Sequence, residues 1–279
     1  MANLFSGLEE FGLGNLTDMN IYDEKDKEEA KKSASEEKTA FSEEDIIFDK
    51  TFTCPVCDGN FKAKMVKSGK VKLVSLDTDL RPKYQFVDPL KYDAILCPLC
   101  GYTALNRFFK YVTSAQASLI KKNITTSFKG IKESGDIFTY DDAIARHKLA
   151  LVNAIVKKSK TSERAYTCLK TAWVLRGKAE TLPEGTPDYD KAVESLKKEE
   201  REFIVNAYNG FMEAYNKETF PMCGMDESTI MLMLADLARK TAKYDEAGRW
   251  ISRVLISRET NERIKQRARE IKDMIREEK

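Results

Sequence analysis

The chain has 279 residues, with 47 Lys/Arg against 45 Asp/Glu, one His and six Cys. That length supports a hydrophobic core. The absence of any run of about 18 apolar residues argues against a membrane-spanning helix, and there is no basic-then-apolar start with a cleavage site to mark a secretory leader. Six Cys are too few for a disulfide scaffold of this size, and paired C-x-x-C knuckles suit a reducing compartment, so a cytoplasmic location with no membrane partner is expected.

The near-neutral total hides an uneven distribution. Residues 1–50 carry 14 acidic and 6 basic side chains, residues 51–160 carry 9 and 19, and residues 161–279 carry 22 of each. A solvated surface with a soluble tail accounts for this, and so does a basic domain whose anionic partner competes with the tail. Residues 1–50 are read as a flexible acidic leader. Asp23 to Lys38 is a charge run with no apolar face, which cannot offset its own ordering entropy. The apolar, glycine-containing stretch Leu4 to Gly14 before it suits either a docking peptide or a disordered end.

Residues 51–105 read as a small β-rich module built on two knuckles, Cys54-Pro55-Val56-Cys57 and Cys97-Pro98-Leu99-Cys100-Gly101. Each turn aims two sulfurs at one point, and two such turns offer the four thiolates that Zn²⁺ prefers in tetrahedral array. One structural Zn²⁺ on Cys54, Cys57, Cys97 and Cys100 is expected, with iron in a rubredoxin-like site as the other metal that would fit. A four-thiolate site has no open position for water or substrate, so it holds a fold rather than performing chemistry. Loss of one ligand, as in Cys97→Ser, is expected to unfold residues 51–100 and leave the helices largely intact.

Between the knuckles, Phe61 to Val66 and Val71 to Leu76 suggest a hairpin around Ser68-Gly69, and Tyr92 to Leu96 a strand entering the second knuckle. Asp77 to Tyr84 and Asp88-Pro89 contain two prolines and read as a shaped loop. Asp79, Arg81, Tyr84, Asp88 and Tyr92 in it form either a structural polar network or a recognition surface.

From Gly101 the pattern turns helical, giving a helical repeat domain over residues 106–279. Helices are expected over Thr113 to Phe128, Tyr140 to Lys157, Ser162 to Lys178 with Ser162 as N-cap, and Tyr189 to Glu218 with a bend near Asn209-Gly210. Met231, Leu234, Ala235 and Ala238, then Tyr244, Ala247, Ile251, Val254 and Leu255, look like a tetratricopeptide helix pair, with Ala235 and Ala247 at its close approach. Thr260 to Glu278 has the thin apolar seam of a capping helix. The fold class is therefore α+β, mainly α: a small β-rich zinc ribbon followed by a tetratricopeptide-like helical bundle.

No catalytic residue emerges. His147 lies on a helix flank, Gly130 and Gly135 have P-loop spacing but Asp136 stands where the lysine belongs, and no G-x-G-x-x-G occurs. Of the two leftover thiols, Cys168 falls inside a helix and Cys223 in a loop where it is the more exposed. The first knuckle, Asp79-Leu80-Arg81-Pro82, Asp88-Pro89 with Tyr92-Asp93, and the second knuckle through Gly101-Tyr102 together resemble a bacterial domain-of-unknown-function family, 2225, over roughly residues 45–275. The resemblance implies a zinc-ribbon-like module fused to a tetratricopeptide-like helical domain, and no assigned activity.

The function expected is that of a zinc-binding, non-enzymatic interaction or scaffold protein with a protein or peptide in its helical groove. The alternative is a nucleic-acid-binding zinc ribbon, for which Lys62, Lys64, Lys67, Lys70 and Lys72 surround the hairpin. A redox or other enzyme is the second alternative.

Overall fold

The computed structural model describes residues 42–132 and 134–278. Most of the expected leader, residues 1–41, lies outside the described residues. Its last part does not behave as a leader: Glu43–Ile46 form a short helix, α1, and Ile47–Thr53 form strand β1. Ile46 is fully buried, in a small cluster with Val87, Tyr92 and Phe138. Glu43 is neutralised by Lys91, at 2.7 Å. A charge count treats Glu43 as solvated because its lysine is far away in sequence.

The strands make three separate antiparallel pairs. Strand β1 pairs with β2 (Asn60–Val66) in a register running from Ile47 opposite Val66 to Thr53 opposite Asn60, so the first knuckle is the hairpin turn. Strand β3 (Leu73–Leu76) pairs with β4 (Pro82–Tyr84). Strand β5 (Ala94–Leu96) pairs with β6 (Thr103–Leu105), and the second knuckle is the turn between them.

This corrects the hairpin expected around Ser68-Gly69. Those residues form a 3₁₀ turn, Ser68–Lys70, because β1 has already taken the partner edge of β2. The loop expected over Asp77 to Tyr84 is a turn closed by Asp77 N–H to Arg81 O (2.9 Å), followed by a strand that begins at Pro82, a position in a strand that tolerates proline. The strand expected from Tyr92 starts at Ala94, since Asp88 caps a 3₁₀ turn over Pro89–Tyr92 by accepting from Leu90 N–H.

Two short helices follow, α2 (Asn106–Phe109) and α3 (Ser114–Ile120), the latter opened by a Thr113/Gln116 capping box and extended by a π-helical turn over Lys121–Thr125. Helix α4 (Tyr140–Val156) starts on a Thr139/Asp142 capping box. Helix α5 spans Thr161–Thr181 and α6 spans Tyr189–Lys217. Ser162 is not the N-cap of α5. Its N–H and O–H both donate to Glu218, at 3.0 and 2.5 Å, tying the start of α5 to the end of α6. Gly210 lies where a Cβ would come within 2.8 Å of Ala165 Cβ, so its role is the close approach of α5 and α6.

Helix α7 (Glu227–Lys240) begins at Asp226, which accepts from Thr229 N–H at 2.8 Å. The turn into α8 (Tyr244–Ile256) is closed by Lys243 N–H to Ala238 O at 2.8 Å. Ala235, Ala238 and Ala247 are fully buried at this pair. Helix α9 (Glu262–Glu278) lays Ala268, Ile271 and Ile275 on the core. The fold is α+β and mainly α, three small antiparallel ribbons followed by a helical bundle. No helix among the described residues is long and apolar enough to cross a membrane.

Candidate metal centre

The two knuckles repeat one backbone frame. Cys54 N–H donates to Gly59 O (3.0 Å) and Asp58 N–H to Cys54 O (2.9 Å), while Cys97 N–H donates to Tyr102 O (2.9 Å) and Gly101 N–H to Cys97 O (3.0 Å). Each frame needs a left-handed residue after its second Cys, and finds it in Asp58 (φ 60°) and Gly101 (φ 76°). Asp tolerates this backbone. Gly101 has a second reason to be glycine, because a Cβ there would lie 2.5 Å from the Phe128 ring.

The hairpins bring the four sulfurs together. Cys54 and Cys100 Sγ are 3.6 Å apart, Cys57 and Cys97 Sγ are 3.7 Å apart, and all four lie within 4.8 Å of one another. A tetrahedral Zn–S bond of about 2.3 Å places neighbouring sulfurs about 3.8 Å apart, the spacing that the Cys54–Cys100 and Cys57–Cys97 pairs already have. Cys54, Cys97 and Cys100 are buried and Cys57 is half-buried. Val56 N–H donates to Cys54 Sγ at 3.4 Å, the kind of support that orients a thiolate ligand.

The protons are unevenly held. The hydrogen bond from Cys100 lowers the Cys54 thiol to about 5, burial pushes Cys97 up to about 11, and Cys100, which gives that hydrogen bond, moves up as well. Metal binding to such a group releases protons.

The centre is rooted in the helices. Asn153 of α4 donates to Gly101 O at 3.2 Å, and Thr125 donates to Cys100 O at 2.9 Å. Phe52, Phe61, Tyr102 and Phe109 pack ring to ring beneath the sulfurs, in one cluster with Ile120 and Ile124.

Of the five polar residues between the knuckles, Asp79 and Arg81 share one ion-pair network through Asp77, which pairs with Arg81 at 3.6 Å and with Arg176 at 3.0 Å. Asp79 is fully buried and held by Arg176 of α5 at 2.6 and 3.0 Å. Arg81 is buried and pairs with Glu180 at 3.0 Å. Asp88 accepts from Leu90 N–H and from Tyr140 O–H, both at 3.0 Å, and burial raises its carboxyl. Tyr92 donates to Glu43 at 2.7 Å and accepts from Phe138 N–H at 3.3 Å. Tyr84 lies in β4 opposite Leu73 and lines a cavity with Arg81 and Asp88.

The partners of this region come from the helices. Arg176 also holds Glu200 at 2.7 Å and Asp77 at 3.0 Å. Fully buried Asp236 pairs with Arg239 at 2.8 Å, and Arg239 donates to Thr78 at 3.4 Å. The sequence marks Arg176 and Asp236 only as charges on helix faces that are otherwise buried and apolar.

His147 is fully buried, its Nδ1 is 2.8 Å from Ala143 O, and burial lowers its basicity. Cys168 is buried, and burial pushes its thiol up to about 12. Cys223 is half-buried rather than free in its loop; it donates to Ser162 O at 3.3 Å, and burial pushes it up to about 12 too. Of the module's lysines, Lys64 pairs with Asp49 and Asp136 at 3.6 and 3.7 Å, and Lys67 donates to Asp45 O at 2.9 Å, while Lys62 and Lys72 are exposed.

Comparison with curated proteins and with solved structures finds no match to this chain. Residues 47–278, from the first strand to the last helix, match a family described as uncharacterized protein conserved in bacteria (DUF2225). That span holds both knuckles and every helix from α2 to α9, and the chain belongs to this bacterial family.

Proposed function

We propose that the protein is a non-enzymatic, zinc-stabilised scaffold of the bacterial cytoplasm whose helices present a surface to a protein or peptide partner. Zn²⁺ on Cys54, Cys57, Cys97 and Cys100 closes a zinc-ribbon-like module. The observation that carries the reading is the sulfur constellation, with all four Sγ atoms within 4.8 Å and three of the four cysteines buried. A site filled by four thiolates offers no position for substrate, which assigns the metal to folding.

The scaffold part rests on α7 and α8. Their fully buried Ala235 and Ala247 occupy the close-approach positions of a tetratricopeptide-like pair, an architecture that makes concave peptide-binding surfaces when repeated. The test is elemental analysis of the purified chain, with thiols counted before and after chelation. One zinc per chain and four thiols that react only after chelation are expected. Iron, or no metal with a readily formed disulfide, sinks the structural-zinc reading.

A further inference from the structure

Beside the start of α5 lies a cavity of about 400 Å³ whose lining includes none of the four clustered cysteines. Phe108, Tyr111, Pro221 and Met222 form its apolar walls, and Arg107 and Lys160 stand on its lining. Pockets of this size are where proteins hold small ligands.

Its charges do not balance. Of the two acids that line it, Glu163 is neutralised by Lys157 at 2.7 Å, and Glu218 keeps its charge but is held by the N–H and O–H of Ser162, so two cations face one remaining negative charge. Arg107 and Lys160 have no carboxylate partner among the described residues. Lys160 stands at the N-cap position of α5, where the helix dipole disfavours a cation, so a bound anion would be favoured there.

Arg107 is also held in place. Its guanidinium lies 5.7 Å from the Phe108 ring centre and 5.2 Å from that of Tyr166, and these two rings meet edge to face. Gly224, at φ 74°, brings the loop backbone so close that a Cβ would strike Arg107 Nη2. A guanidinium fixed in this way loses little freedom on pairing with a planar carboxylate. Tyr111, 77% exposed at the rim, offers a ring face to whatever body carries that carboxylate.

Another cavity, of about 420 Å³ near Arg81 and Tyr140, differs in that its cations are answered. Arg81 and Lys83 pair with Glu180, and Lys91 with Glu43.

We propose that the Arg107–Lys160 cavity binds a carboxylate carried on an apolar, preferably aromatic, body. The acid group pairs with the two cations, and the body lies against Phe108, Tyr111 and Met222. A free small acid presents this chemistry, and so does a peptide ending in an aromatic residue; the peptide source rests on the scaffold reading, the free acid does not.

The full-length, metal-loaded chain is titrated with 3-phenylpropionate, with the neutral 3-phenylpropanol, and with a short peptide ending in phenylalanine as free acid and as amide. Saturable binding is expected for the acids alone, weakened roughly tenfold or more in both Arg107→Gln and Lys160→Gln. Both side chains are exposed, so thermal melts of the variants should match the parent. Peptide binding tighter than that of the free acid identifies a partner's chain end, and equal binding identifies a small acid. No saturation by either acid in the millimolar range, equal binding of alcohol or amide, or undiminished binding in both variants overturns the proposal. Metal content is read separately, so failure of the zinc reading is distinguishable from failure here.

Discussion

Arg176 of α5 holds Asp79 of the inter-knuckle segment through two bonds, Nη2 to Oδ2 at 2.6 Å and Nη1 to Oδ1 at 3.0 Å. The two are 97 positions apart, and the carboxylate is fully buried. Forked guanidinium–carboxylate pairing of this kind fixes orientation as well as charge. It is therefore the clearest single joint between the β-rich segment and the helical bundle.

Breaking that joint from one side leaves the buried Asp79 carboxylate with only the more distant Lys240, at 3.9 Å, as counter-charge. Arg176→Met is expected to lower stability by about 3–5 kcal/mol, and Arg176→Lys, which keeps the charge and loses the fork, by less. Denaturant midpoints of the two variants check this. A change below about 1 kcal/mol in Arg176→Met would show that the pair contributes little.

Acid should release the same joint. Burial pushes the Asp79 carboxyl up, the Arg176 guanidinium more than offsets this, and the net shift is downward. A lowered folded value means stability that is present above the ordinary carboxylate range and lost as pH falls through the folded value. Thermal melts of the parent from neutral pH to about pH 3 should show a falling midpoint. The slope should flatten in Asp79→Asn, which is already destabilised at neutral pH.

Asp88 carries the opposite sign. Burial raises its carboxyl, so its contribution is present when protonated and is lost as pH rises through the raised value. Asparagine keeps an acceptor for Leu90 N–H and places an amide near the Tyr140 hydroxyl. Asp88→Asn should cost no more than about 1 kcal/mol at neutral pH, well below Asp79→Asn, by paired denaturant titrations.

Metal loss should reach beyond the β-rich module. Asn153 and Thr125 hold carbonyls of the second knuckle, and Phe109, Ile120 and Ile124 share the aromatic cluster under the sulfurs. In place of unfolding confined to residues 51–100, a coupled loss is the outcome these contacts predict. Cys97→Ser or chelation should lower the thermal midpoint and expose amides in α3 and α4 to hydrogen exchange. Protection in α4 unchanged after verified metal removal would refute the coupling.

Gly101→Ala tests the knuckle backbone without touching a ligand. The left-handed φ costs an alanine about 1–2 kcal/mol, and its Cβ meets the Phe128 ring. Weaker metal retention against a chelator than in the parent is expected, with all four cysteines present. Parent-like retention would show that the turn relaxes freely.

The sequence by itself determined the four-cysteine cluster, because a C-P-x-C turn is local: its two sulfurs converge through hydrogen bonds spanning five or six residues. It also determined the helices whose starts carry their own caps, such as Thr139 with Asp142 and Asp226 with Thr229. Family membership followed from the same local motifs. Only the tertiary structure decided which strand β2 pairs with, since the hydrophobic pattern of Asn60–Val66 suits either neighbour and the knuckle turn selects β1. It alone gave Asp79, Arg81, Asp88 and Tyr92 their partners Arg176, Glu180, Tyr140 and Glu43, and left Arg107 and Lys160 without a carboxylate partner among the described residues. A buried ion pair joins residues about a hundred positions apart, and no spacing rule in a single chain records it. The energetic reason lies in burial, which makes each such charge costly unless partners arrive from another element.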